Sequence, residues 1–198
     1  LVVKNARVPP LPLQPSVLII HQPLSPRYSS KKWEQELYSR LVVDLVRHGY
    51  KVLFKPHPRC ISNGALEQLR QEINSLLDNE KMVDYIDRDV IAEDLLSRCC
   101  ALITPISVTA YTSLRMGIPT IFVRTPRIAN KLLSDMHELC EIHYLSDPSN
   151  IVTAIDNILK NNESREFWFK KGPQAAKKLS GSSEDFNTLW PKCVKELI

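Results

Sequence analysis

The stretch "ALITPISVTAYTSLRMGIPTIFV", Ala101 to Val123, decides the fold. Its opening, together with Cys100, is a short apolar run with the length of a buried strand. Ser107 to Gly117 then changes to helical spacing and closes on glycine, a common helix stop. Pro119 to Val123 returns to an apolar, β-branched run. Strands that are apolar at nearly every position are buried on both faces, and strand-helix-strand alternation of this kind builds a parallel sheet.

The same alternation extends in both directions. Upstream, "SVLIIHQ" (Ser16 to Gln22) is a strand ended by Pro23. From Ser30 to Gly49, Trp33, Leu37, Leu41 and Leu45, with Val42 and Val46, mark a core-facing helix capped by Ser29 or Ser30 and stopped by Gly49. A strand at 51–54, a helix from Ala65 to about Asn79, a strand at 82–86 and a short helix at 90–99 complete the first part. Downstream, helices are expected near 127–138, 149–160, 164–180 and 183–197, with Pro173 breaking or starting one of them. The pattern predicts an α/β protein, a Rossmann-like doubly wound parallel sheet of five strands with helices on both faces. Four prolines within "NARVPPLPLQP" make residues 1–15 an interdomain linker, and residues 16–198 then form one domain ending in helices.

Composition narrows the function classes. Among 198 residues 43% are hydrophobic and 24% charged, and no apolar run approaches the roughly 20 residues that cross a bilayer, so a soluble chain is expected. Five cysteines without a C-x-x-C pair fit neither a disulfide framework nor a zinc site and imply a reducing, cytoplasmic setting with no metal. The net charge of +4 is scattered, without the aromatic-basic interleaving of a nucleic-acid platform, so no nucleic-acid partner is expected. Only five glycines, no G-x-G-x-x-G after the first strand and no Walker A motif disfavour dinucleotide and P-loop sites. H-E-x-x-H and G-x-S-x-G are also absent.

In a doubly wound sheet the ligand sits beyond the carboxyl ends of the strands. The first strand delivers His21 and Gln22, followed by Ser25. The second delivers His57 between Pro56 and Pro58, with Lys55 and Arg59 beside it. The third delivers Asp87, Arg88 and Asp89, the fourth Thr104, Ser107 and Thr109, and the fifth Arg124 and Thr125. Ser107 is either a plain N-cap or part of a phosphate site at a helix start whose dipole end is positive. His57 is either a turn residue or an imidazole aimed by its two prolines at an anion. Asp87 to Asp89 reads as a solvated turn with a possible ligand contact, Glu93 and Asp94 as an exposed helix face, Arg127 as an ordinary loop arginine, and Trp33, Met116, Phe122, Trp168 and Trp190 as core.

With His57-Pro58 and Ile106-Ser107-Val108-Thr109 in view, the chain from about Ser16 resembles the C-terminal, donor-binding half of a GT-B glycosyltransferase. It is most like bacterial sialyl- and polysialyltransferases and CMP-Kdo transferases. The resemblance implies a CMP-activated sugar as donor, without a further cofactor, and a surface glycan as acceptor. It implies that His57, in its pair with Pro58, acts on the leaving CMP and that Ser107 and Thr109 hold its phosphate; Asp87 and Thr104 join them as candidates from their places after the third and fourth strands. "HQP" at 21–23 resembles a glutamine-proline element of Kdo transferases and would bring Gln22 to the donor. In the family the serine motif often has two adjacent hydroxyls, whereas Val108 separates them here. The stretch 101–122 is equally similar to CDP-glycerol glycerophosphotransferases and to UDP-sugar 2-epimerases. The resemblance also implies an N-terminal half outside this sequence, which supplies the catalytic base, and peripheral contact with the inner face of the membrane. A non-catalytic module that grips a phosphate-bearing ligand or a protein partner is the alternative from another class.

Overall fold

The computed structural model describes residues 11–22, 31–57, 64–77, 80–105, 107–123, 144–145 and 147–179. The helices expected near 127–138 and 183–197, the cap at Ser29 or Ser30, and Trp190 lie outside these residues, as does most of the proline-rich segment. Six strands form one sheet: β1 Ser16–Ile20, β2 Lys51–Lys55, β3 Val83–Tyr85, β4 Ala101–Thr104, β5 Thr120–Val123 and β6 Tyr144–Leu145. Their order is β3-β2-β1-β4-β5-β6, and every pair is parallel. β1 lies between β2 (Ser16 opposite Lys51, Ile20 opposite Lys55) and β4 (Val17 opposite Ala101, Ile19 opposite Ile103). The sixth strand was not anticipated: two residues are too few to show a period.

Helices cover both faces because both faces are apolar. Val17, Ile19, Val52, Phe54, Ala101 and Ile103 point to the layer made by α1 Lys31–Arg47, α2 Ala65–Leu76 and α5 Pro148–Lys160. Leu18, Ile20, Leu53, Leu102 and Phe122 point to the other, made by α3 Ala92–Leu95, α4 Val108–Arg115 and α6 Asn162–Leu179. Burying each such side chain contributes roughly 1.5–3 kcal/mol, so the doubly covered sheet is the stabilising core. The short helix expected at 90–99 is one α-helical turn followed by a 3-10 turn at Leu96–Arg98.

Two glycine stops work as the sequence suggests. Gly49 (φ 86°) donates to the Val46 carbonyl and Tyr50 to that of Leu45. Gly117 (φ 71°) donates to Leu114 and Ile118 to Ser113. Each is the paired-bond helix end that needs a left-handed residue, and each turns the chain directly into the next strand. Asp147 opens α5, accepting from the amide of Asn150 at 3.1 Å, with Pro148 in the first turn. Asn161 then breaks the helical run by adopting extended geometry and accepting from the amides of Glu163 and Ser164.

Pro173 departs from expectation: it lies inside α6 and neither breaks nor starts it. The proline leaves the Phe169 carbonyl without its usual donor, but the flanking packing holds the helix. Trp168, Ala175 and Ala176 are buried against the sheet layer, and Gly172 lets the backbone of α6 approach α4. A Cβ on Gly172 would stand 2.6 Å from the Leu114 carbonyl oxygen, and one on Gly117 would stand 2.9 Å from the Phe169 Cα. Gly172→Ala is therefore expected to destabilise the fold by about 1–3 kcal/mol in urea unfolding. Gly64→Ala, where nothing lies within 4 Å and only the positive φ opposes a side chain, should cost no more than about 1 kcal/mol. Equal effects would show that the α4–α6 approach is not tight.

At the amino-terminal edge of the sheet, Asp156 joins α5 to the end of α1. Tyr50 donates to one carboxylate oxygen (2.5 Å), Lys160 donates to the other (2.7 Å), and His48 Nδ1 lies 3.0 Å from that second oxygen. Burial pushes the carboxyl up, but hydrogen bonds from Lys160, Tyr50 and His48 outweigh it and hold it below its ordinary value. The stabilisation is complete above the unfolded-state pKa and is lost as pH falls through the lowered folded value. Asp156→Asn should accordingly lower stability at neutral pH and flatten the acid limb of a stability-versus-pH curve, measured by denaturant melts.

Candidate functional site at the carboxyl edge of the sheet

The order of strands reverses between β1 and β4, and their outgoing chains leave for helices on opposite faces. Such a divergence opens a crevice beyond the strand ends, which is where doubly wound sheets bind ligands. His21 and Gln22 follow β1 on one side of it, and Thr104, Ser107 and Thr109 follow β4 on the other. His57 follows the neighbouring β2, two residues past its end. Asp87 follows β3, farther along the edge, and is exposed. Ser25, Pro58, Arg59, Ile106, Arg124, Thr125 and Arg127 lie outside the described residues.

The β4 side is built around α4. Ser107, 7% exposed and in extended geometry, caps the helix: its oxygen accepts from the Thr109 amide at 3.2 Å. The N-cap expectation for Ser107 holds, and capping uses a lone pair of its hydroxyl oxygen rather than its proton. Thr109 donates its hydroxyl to Glu93 Oε1 at 2.6 Å. Thr104 is 0% exposed and its hydroxyl has no partner among the described residues. Alternation with Ile103 sets Thr104 on the face that Leu102 shares with α3 and α4, below the start of α4. A buried hydroxyl left unsatisfied costs roughly 1–3 kcal/mol, and an incoming ligand oxygen that accepts its proton would remove the cost.

The β1 side carries a buried imidazole. His21 is 7% exposed, edge-on to Tyr38 (ring centroids 4.6 Å apart) and stacked on Phe54 (5.9 Å), and its Nδ1 has no partner. Burial, and secondarily the charge of His57, lower its pKa to about 4. His21 is therefore neutral near pH 7.

Two side chains behave differently from their sequence appearance. Lys55, grouped with His57 as a basic flank, is buried, and its ammonium donates to the carbonyls of Asp87 (2.5 Å) and Arg88 (2.9 Å). Burial lowers its pKa, with Asp89 and Asp87 pulling the other way. Lys55 thus fastens the turn after β3 to the end of β2, and what Asp87 contributes is a backbone oxygen. Glu93, taken with Asp94 as an exposed face, is half-buried and receives the Thr109 hydroxyl, while Asp94 is exposed. Sixteen residues separate Glu93 from Thr109, and no local spacing announces the contact. Only the docking of α3 beside α4 creates it.

A groove of about 320 Å³ lies at the opposite edge, lined in part by Cys99, Cys100, Met116, Ile118, Arg165 and Phe169. Burial pushes both thiols up to about 12, so they stay protonated and are poor nucleophiles. Met116, expected in the core, is 44% exposed because it sits at the C-cap of α4, past the last buried turn. No cluster of three or more His, Cys, Asp or Glu suited to a metal occurs among the described residues, and no described helix is long and apolar enough to cross a membrane.

The fold recurs in solved glycosyltransferases. The C-terminal domain of a glycosyl transferase group 1 family protein (LpcC) from Francisella tularensis matches with TM-score 0.57 and 12% identity over 88% of each chain. TarM of S. aureus, solved with UDP, matches with TM-score 0.61 and 8% identity, over 96% of this chain and 37% of its own. The UDP-GlcNAc 2-epimerase of Neisseria meningitidis bound to UDP-GlcNAc matches with TM-score 0.56 and 13% identity, over 90% and 45%. The chain spans less than half the length of the last two. No curated protein matches it in sequence. A Rossmann-like parallel sheet with its switch point between β1 and β4 is the fold this domain shares with those glycosyltransferase and epimerase structures. Residues 12–115 match the model of the alpha-2,8-polysialyltransferase (POLYST) family, and the chain belongs to that family. The matched region contains all the candidate residues from Gln22 to Thr109.

The neutral burial of His21 has a measurable signature. A histidine whose folded pKa lies below its unfolded value contributes stability that is complete above about 6.5 and is lost as pH falls towards 4. The loss is on the order of 3 kcal/mol for such a shift. Denaturant melts between pH 7.5 and 4 should show this slope in the native chain. The slope should be smaller in His21→Phe, which keeps a ring on Tyr38 and Phe54, and identical slopes would refute the buried neutral imidazole.

Proposed function

We propose that the crevice between β1 and β4 binds the nucleotide of a CMP-activated sugar, sialic acid in first place, and that the chain is the donor-binding half of a polysialyltransferase. The observation that carries the phosphate site is the buried, unpartnered hydroxyl of Thr104 beneath the Ser107-capped start of α4. Membership of the polysialyltransferase family favours CMP-sialic acid over CMP-Kdo, CDP-glycerol or a UDP-sugar. Thr104 and Ser107 each have a hydroxyl proton to donate, and the first amides of α4 add the positive end of the helix dipole. Gln22 and His57 close the crevice from β1 and β2, with the Asp87 turn bounding the site.

In this mechanism the donor's phosphodiester carries one negative charge and acquires a second as the bond from the anomeric carbon to the phosphate oxygen breaks. The electron pair of that bond moves onto CMP. Hydrogen-bond donors already in place at the position of the new charge lower the barrier without reorganising. His57 and the α4 start supply them. The acceptor is a glycan hydroxyl, and the base that takes its proton comes from another part of the enzyme. No metal is required by this scheme. The site works in the cytoplasm, at the inner face of the membrane, where the growing glycan is made.

Calorimetric titration of the chain with CMP, UMP, CDP and UDP tests the assignment. Preference for CMP supports it, preference for UDP moves the chain towards the UDP-sugar enzymes that share its fold, and absence of binding favours a scaffolding module. In an active protein containing this domain, His57→Ala should lower turnover by a factor on the order of 10² or more, as loss of a positioned oxyanion partner does. Unchanged turnover would exclude His57 from the reaction.

A further inference from the structure

We infer that Glu93 is a specificity-determining residue that makes the crevice selective for a nucleoside monophosphate over a nucleoside diphosphate, an inference that rests on the phosphate site proposed above. Three observations converge at the start of α4. Thr104 leaves a fully buried hydroxyl unpartnered there and calls for an acceptor. Ser107 caps the helix through its lone pair and keeps a proton to donate. Glu93, from the neighbouring α3, places a carboxylate on the hydroxyl of Thr109, the second residue of the helix, at 2.6 Å.

The positive end of a helix amounts to about half an elementary charge. A carboxylate held two residues past the cap offsets much of it, so the site is rich in donors yet carries little net positive charge. Donor hydrogens still favour one phosphate, but each further negative charge meets Glu93 in a partly buried setting. At the effective dielectric of such sites, one extra unit charge about 7 Å away weakens binding on the order of 10-fold or more. The hydrogen bond also commits the Thr109 proton to Glu93, so Thr109 presents only lone pairs to a ligand and repels a second phosphate group. Phosphate contact therefore falls to Thr104 and Ser107, and Thr109 orients Glu93 instead.

The test compares the affinities of CMP and CDP at pH 7.5 for the native chain, Glu93→Gln and Asp94→Asn, with thermal melts to confirm folding. The native chain is expected to bind CMP at least 10-fold more tightly than CDP. Glu93→Gln, which keeps an oxygen to accept from Thr109, should tighten CDP at least 10-fold more than it tightens CMP. Asp94→Asn removes an exposed charge one position away and should leave the CMP-to-CDP ratio within 2-fold. An unchanged ratio in Glu93→Gln, or an equal change in Asp94→Asn, overturns the role of Glu93. Failure of the native chain to bind CMP at all overturns the phosphate site beneath it.

Discussion

The centre of the domain is β1, and everything that creates a site depends on its being paired on both edges and covered on both faces. Val17, Leu18 and Ile19 are completely buried, so the middle of the strand has no polar position and no tolerance for a shift in register. Parallel pairing to β2 on one side and β4 on the other sends the chain first along one direction of the sheet and then back past its starting point. The crevice is the geometric result of that reversal. That divergence of the chain is set before any functional side chain is placed, and the residues that follow β1 and β4 border it.

The donors and charges at this edge are held by contacts that are themselves structural. Ser107 is both a helix cap and a hydroxyl at the crevice. Lys55 spends its charge on two backbone carbonyls and so fixes the turn after β3 against β2. His21 fills an aromatic cluster with Tyr38 and Phe54 as a neutral ring. Moderate polarity is thereby maintained in a place where an isolated charge would be expensive to bury.

Much of the architecture was legible in the sequence because it is written in local signals: apolar strands, helical spacing, and glycines at 49 and 117 that no other residue replaces without strain. The edge on which Gln22, His57, Asp87, Thr104, Ser107 and Thr109 fall was legible for the same reason, since strand ends can be read from composition. What escaped was non-local. Tyr144–Leu145 is too short to carry a period. Pro173 looks like a breaker until the close approach of α6 to α4 is known. Glu93 belongs to a four-residue helix whose neighbour in space is distant in sequence, and Lys55 looks like a surface cation until its two carbonyl partners appear.

The contact between Gly172 and the end of α4 bears on more than packing. α4 has only eight residues, about 12 Å of helix, and is pinned at its far end where glycine and backbone meet with no side chain between them. A short rigid rod held at one end cannot swing much at the other. The amides and hydroxyls at its start therefore keep one orientation in the absence of ligand, and the entropy of arranging them is lost during folding, before any anion arrives. Gly172 thus anchors, from the far end of α4, the helix start on which the proposed site would rely.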